Sequence, residues 1–97
     1  MTTTTIAAEP GYRGILFDQV WDRDITRVVA VDLAADDPIV AWEVPGDGSE
    51  PLPIGESGHP YWHYIRPDGS VVERHHRSWP DLAAFQAAVI AREVHNT

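Results

Sequence analysis

The residues best suited to chemistry in this chain are His63, Glu73 and His75, with His59 a short way upstream. Two imidazoles and one carboxylate converging on one sheet face make a three-ligand set. Such a set holds Zn²⁺ or a similar ion and leaves a coordination position open. The convergence depends on a strand register, which the intervening Pro67-Asp68-Gly69 supplies. Proline presets the first turn position, aspartate suits the second, and glycine takes the left-handed residue of a bulge, so the three form a hairpin loop. The flanking strands, 61–66 and 70–77, then pair Ile65 with Val71, Tyr64 with Val72 and His63 with Glu73. Because side chains alternate along a strand, Tyr61, His63, Ile65, Val71, Glu73 and His75 share one face. Trp62, Tyr64, Val72, Arg74 and His76 share the other. No cysteine reinforces a metal site. The competing reading is a polar outer face on which His63 pairs with Glu73, with Trp62 and Tyr64 turned toward a helix as core.

Other arrangements carry less chemistry. Gly55-Glu56-Ser57-Gly58 looks superficially like the strained turn that presents a nucleophilic serine, but His59-Pro60 follows it where a helix is required. The carboxylate pairs Asp22/Asp24 and Asp36/Asp37 fall in turn-like stretches, where solvated acids are the usual outcome. No glycine-rich phosphate loop follows a strand. The chain therefore reads as a non-enzyme, and its sequence calls for no cofactor.

The elements that must position these residues are legible in outline. Residues 1–10, threonine-rich and ending in Glu9-Pro10, read as a disordered tail. Residues 11–97 read as a single α+β domain. Within 12–21, Ile15, Phe17 and Trp21 alternate with Leu16, Asp18 and Val20, the pattern of a half-buried strand. A turn at 21–24 leads to a β-branched strand over 25–33. Ala34-Ala35-Asp36-Asp37-Pro38 reads as a second turn, and 39–44 as the next strand. Residues 45–60 form a long acidic loop with four prolines and four glycines. After the hairpin, Ser78 is placed to cap a helix with Asp81 completing the capping box and Pro80 in the first turn. Leu82, Phe85 and Val89 form its apolar stripe, broadened by Ala83, Ala87, Ile90 and Val94. The predicted fold is α+β: an antiparallel β-meander of four to five strands with one C-terminal α-helix packed on one face.

Residues 59–94 resemble the strand–turn–strand–helix unit of the arm-binding domains of phage-type integrases. The shared features are Arg66-Pro67-Asp68-Gly69, the strand bearing Arg74 and Arg77, then Ser78-Trp79 and an alanine-rich helix. The resemblance covers about a third of the chain and implies a sheet that enters a DNA groove through basic side chains. The charge argues the other way. The net charge is −8, and lysine is absent. Residues 1–58 hold eleven acids against three arginines, whereas 59–97 hold four of each. Such a field repels nucleic acid and anionic membranes and favours a basic partner.

The N-terminus lacks the basic start and apolar run of a signal peptide, and no stretch is long and apolar enough to span a membrane. A cytoplasmic protein is expected. The leading expectation for function is a small acidic protein-binding module of inhibitor, immunity or adaptor type, docking on a basic surface of a partner. Asp36, Asp37, Asp47, Glu50 and Glu56 are the residues expected to steer that encounter, since loop charges are exposed. A metal-binding or metal-sensing role for the hairpin is the alternative from another class, and DNA binding the third.

Overall fold

The computed structural model describes residues 3–74 and 77–91. Among these residues seven strands and one helix follow in chain order: β1 (Thr3–Ala7), β2 (Arg13–Trp21), β3 (Val28–Pro45), β4 (Leu52–Gly55), β5 (His63–Ile65), β6 (Val71–Glu73), β7 (Ser78–Trp79) and α1 (Leu82–Ile90). Every pairing is antiparallel, in the order β1-β3-β2-β5-β6-β7, with β4 also on β3. The α+β class and the C-terminal helix match the sequence reading. The strand count and the meander do not, because β2 sits between β3 and β5 and so breaks the neighbour-to-neighbour order. Among the described residues no helix is long and apolar enough to cross a membrane.

β3 organises the sheet. Its first half pairs with β2 and its second half with β1 and β4, so one strand of 18 residues joins two sets of pairings. The expected turn at 34–38 is therefore a continuous strand. Local turn chemistry loses to a bulge: between the pairs Leu16↔Ala34 and Gly14↔Asp37, β3 holds one residue more than β2. A bulge bends and twists its strand and accommodates a proline that has no N–H to offer. The ladder continues around Pro38, whose carbonyl accepts from Glu56 N–H at 2.8 Å while Ile39 N–H donates to Tyr12 at 2.9 Å.

Two further expectations are corrected. Residues 3–7 of the expected tail form β1, in register with 41–45 of β3, so that Ile6 faces Trp42. Threonine and isoleucine favour a pleated surface, and the second half of β3 offers an edge that local sequence cannot reveal. Within the 45–60 loop, Leu52–Gly55 forms β4. At the other end, Ser78 does not cap the helix but joins Trp79 in β7 against β6. Asp81 is the N-cap, accepting from Ala84 N–H at 2.8 Å.

Apolar side chains fill both faces of the hairpin. Beneath α1 lie Ile15, Phe17, Ile65 and Val71 against Phe85, Ala88 and Val89. On the opposite face Tyr64 and Val72 are buried, and the Tyr64 ring meets Trp42 at 5.3 Å and Tyr12 at 6.2 Å. The faces are thus exchanged relative to expectation: His63 and Glu73, not Trp62 and Tyr64, look toward the helix.

The turn joining β2 to β3 carries a strained residue. Ile25 has φ of 55°, and it is 73% exposed. Left-handed backbone costs an L-residue about 1–2 kcal/mol, and a β-branched one is a genuine outlier there. Asp22 holds the turn, its carboxylate accepting from the Thr26 N–H at 2.7 Å and from the Thr26 hydroxyl. Ile25→Asn, which tolerates this conformation and forfeits little burial, is expected to raise unfolding stability by roughly 1 kcal/mol in urea titration. A variant no more stable than the parent would refute the strain.

Candidate functional site

The hairpin register is the one the loop predicts. His63 faces Glu73, Tyr64 faces Val72 and Ile65 faces Val71. The turn closes through Arg66 N–H to Ser70 O at 2.8 Å, with Gly69 at φ of 89° and the Asp68 carboxylate accepting from Ser70 N–H. His63 Nε2 lies 3.0 Å from Glu73 Oε2, and the two residues are 5% and 8% exposed. The imidazole edge meets Phe17 at 5.1 Å and Phe85 at 5.5 Å. Burial pushes the His63 pKa down, and Glu73 only partly opposes it. The polar pair is consequently a satisfied core contact under the helix, not an outer face. His75, the third expected ligand, lies outside the described residues. His59 meets Tyr61 edge-on at 4.8 Å. Among the described residues no three His, Asp or Glu side chains are placed to hold a metal ion.

The expected docking acids separate into two groups. Asp36 and Asp37 lie at the bulge of β3, and Glu56 joins them through its N–H bond to Pro38. Asp47 and Glu50 lie in the connection between β3 and β4. The four residues of β4 separate the groups by about 13 Å. Asp36, Asp47 and Glu56 are exposed and Glu50 is half-buried.

Asp37 has a structural task that sequence reading missed. Paired residues share a face, so the bulge turns Asp37 onto the face of Gly14 and away from that of Leu33 and Ala35. There the Tyr61 hydroxyl and the Ser57 hydroxyl each donate to Asp37 Oδ2 at 2.7 Å. The Ser57 hydroxyl, then the Tyr61 hydroxyl, hold the Asp37 pKa below the ordinary carboxylate range. Desolvation, then the Asp37 contact, pushes Tyr61 up to about 12. The Tyr61 ring occupies the space where Gly14 lacks a side chain, and the Asp37 carboxylate together with the Tyr61 ring occupies that at Gly55. Glycine inside a strand is the one local sign of such a close approach. Ser57 is thereby a hydroxyl donor to Asp37 from the turn after β4.

Asp47 is likewise held ionised, chiefly by the Ser49 hydroxyl and then by the Ser49 N–H at 2.9 Å. Arg74 folds back onto the chain. Its guanidinium donates to the carbonyls of Glu50 and Pro51 and sits 5.3 Å from the Trp62 ring centroid. That geometry bears on the integrase resemblance: Arg74 is engaged, and the hairpin face away from the helix is covered by Tyr12 and Trp42. No family model, curated protein or solved structure matches this chain.

Proposed function

We propose that this protein is a small, acidic, non-catalytic binding module, of inhibitor, immunity or adaptor type, that docks on a basic surface of a protein partner. The observation that carries the reading is the state of its carboxylates. Asp37 and Asp47 are held by hydroxyl and amide donors. Such donors favour the ionised form without cancelling its charge. With Asp36, Glu50 and Glu56 they build negative potential at both ends of β4. Potential of this kind raises encounter rates and falls steeply with ionic strength.

Asp37 contributes field but not contact, since Ser57 and Tyr61 occupy it. Asp36, Asp47, Glu50 and Glu56 form the docking set. The test compares the protein with the variant Asp36→Asn, Asp47→Asn, Glu50→Gln, Glu56→Gln in affinity capture from cells that express it naturally. A basic protein retained at low salt, released as salt rises, and lost with the variant is expected. Capture of nothing, or equal capture by both forms, would discard the reading.

A further inference from the structure

β1 ends the sheet path, bonded to β3 on one side and to no described strand on the other. Its register with β3 fixes which backbone groups stay open. Ala8 N–H donates to Val40 O at 3.0 Å, in the same register as Ile6↔Trp42 and Thr4↔Val44. Hydrogen-bonded pairs alternate along an antiparallel ladder, so Thr4 and Ile6 direct their backbone groups to β3. Thr3, Thr5 and Ala7 turn theirs outward, and nothing among the described residues pairs with that edge. Natural sheets guard such edges with charge, proline, shortness, a bulge or a covering segment. The outer edge of β4 carries Pro53 and is covered by residues 59–61, through Tyr61 N–H to Pro53 O and Gly55 N–H to His59 O, both 2.9 Å. β7 has only two residues. The stretch of β2 past its pairing with β5 carries Asp18, and the first half of β3 carries Asp32 and Asp36. β1, with the sequence Thr-Thr-Thr-Ile-Ala, has none of these guards.

We infer that two copies of this chain join through β1, antiparallel about a two-fold axis at Thr5, so that one sheet runs through both. The outward set Thr3, Thr5 and Ala7 is symmetric about its own centre, as an isologous contact requires. In that register Thr3 meets Ala7 of the second copy, Thr5 meets its own counterpart, and each pair exchanges both backbone bonds. Every outward N–H and C=O of β1 then has a partner. Thr4 and Ile6 face each other across the axis in a non-hydrogen-bonded pair, where side chains approach most closely. The two Ile6 side chains become diagonal neighbours within reach of each other. Ile6, 48% exposed beside Trp42 in the single chain, is thereby covered. No charged side chain lies on β1, so no like charges meet in the new ladder. Glu43, opposite Thr5 on β3, stands three strand spacings from its counterpart, about 14 Å, which exceeds the screening length at physiological salt. β4 borders the opposite edge of β3, so the acids at its ends stay clear of the contact. The inference does not depend on the docking reading.

Sedimentation equilibrium of the full chain, with hydrogen exchange at the β1 amides, tests the pairing. A concentration-dependent dimer is expected, weakly held because one short strand contact lies at the small end of interfaces. The amides of Thr3, Thr5 and Ala7 should gain protection as the dimer forms, while those of Thr4 and Ile6 keep the same protection at every concentration. Two chains of net charge −8 repel each other, so added salt should tighten the dimer, the reverse of its effect on docking. Thr5→Pro removes the central N–H, which β3 does not use, and should raise the dimer dissociation constant about tenfold or more. Thr5→Lys sets like charges opposite each other across the axis while facing Glu43 within its own chain. It therefore preserves the fold and should weaken the dimer comparably, which decides the matter if Thr5→Pro fails to fold. A monomer at every concentration up to millimolar, a dimer unchanged in either folded variant, or a dimer that salt dissociates would each overturn the pairing. So would a monomeric chain whose Thr5 amide is protected only when a second protein is added, since β1 would then take a foreign strand. Each of these results leaves capture through Asp36, Asp47, Glu50 and Glu56 to be judged by its own variant.

Discussion

Gly14→Ala is expected to destabilise this protein by about 3 kcal/mol or more, the upper part of the range for overpacking a close-fitted core. A side chain at Gly14 would intrude on the Tyr61 ring, meeting three of its carbons well inside van der Waals contact. The ring cannot retreat easily. Tyr61 is only 5% exposed, its ring also packs on Gly55, and its hydroxyl is tied to Asp37 at 2.7 Å. Replacing glycine with alanine also stiffens the unfolded chain, which on its own would stabilise by about 0.4–1 kcal/mol. The steric cost is several times larger and decides the sign. For a domain of this size the melting temperature should fall by roughly 12 °C or more, measured by calorimetry or circular dichroism. A Gly14→Ala protein that unfolds within about 0.5 kcal/mol of the parent, the range of a neutral surface change, would show that the ring is not wedged.

The second large effect belongs to the buried pair. His63→Leu leaves the Glu73 carboxylate under α1 without its donor and should cost about 3–5 kcal/mol. Glu73→Leu strands a neutral imidazole and should cost less, about 1–3 kcal/mol. Exchanging both for leucine should return stability to within about 1 kcal/mol of the parent, since Phe17 and Phe85 already make the surroundings apolar. That non-additivity in urea unfolding is the signature. Additive losses in the double variant would mean the two residues act separately.

The pH dependence carries a definite sign. Folded His63 has a pKa below its unfolded value of 6.5, so below that pH the unfolded chain binds a proton that the folded one resists. Stability contributed by neutral His63 is therefore present above about pH 6.5 and declines as pH falls toward the folded pKa. The decline should be shallower in the double-leucine variant. The depressed carboxylates Asp22, Asp37, Asp47 and Asp68 act in a lower window, losing their contribution as pH falls below the ordinary aspartate value of 3.8. An unchanged slope between about pH 6.5 and 5 in the double variant would remove His63 as its source.

Some of this architecture could be read from the residues alone. Pro67-Asp68-Gly69 dictates its turn through local backbone preference, and turn geometry plus the two-residue period of a strand set His63 opposite Glu73. Ile15 and Phe17 alternate with Leu16 and Asp18, and that contrast placed them inside and outside correctly. These features depend on neighbours in the chain, where each residue's preference acts at short range.

What tertiary structure decided has longer reach. Asp36-Asp37-Pro38 carries every local mark of a turn, yet the pairing of β3 with β2, β1 and β4 outweighs a local preference of at most a few kcal/mol and makes it a bulged strand. Which hairpin face meets α1 was undetermined locally, because both faces mix aromatic, aliphatic and charged residues in similar measure. The second half of β3 settles it by bringing Trp42 over Tyr64, leaving His63 and Glu73 for the helix. Asp37 reaches Tyr61 only because that bulge reverses its face and two distant glycines make room for a ring. Sequence thus determined registers and periodicities, which are properties of adjacent residues; the folded chain determined faces and partners, which depend on surfaces that exist only once remote segments pack.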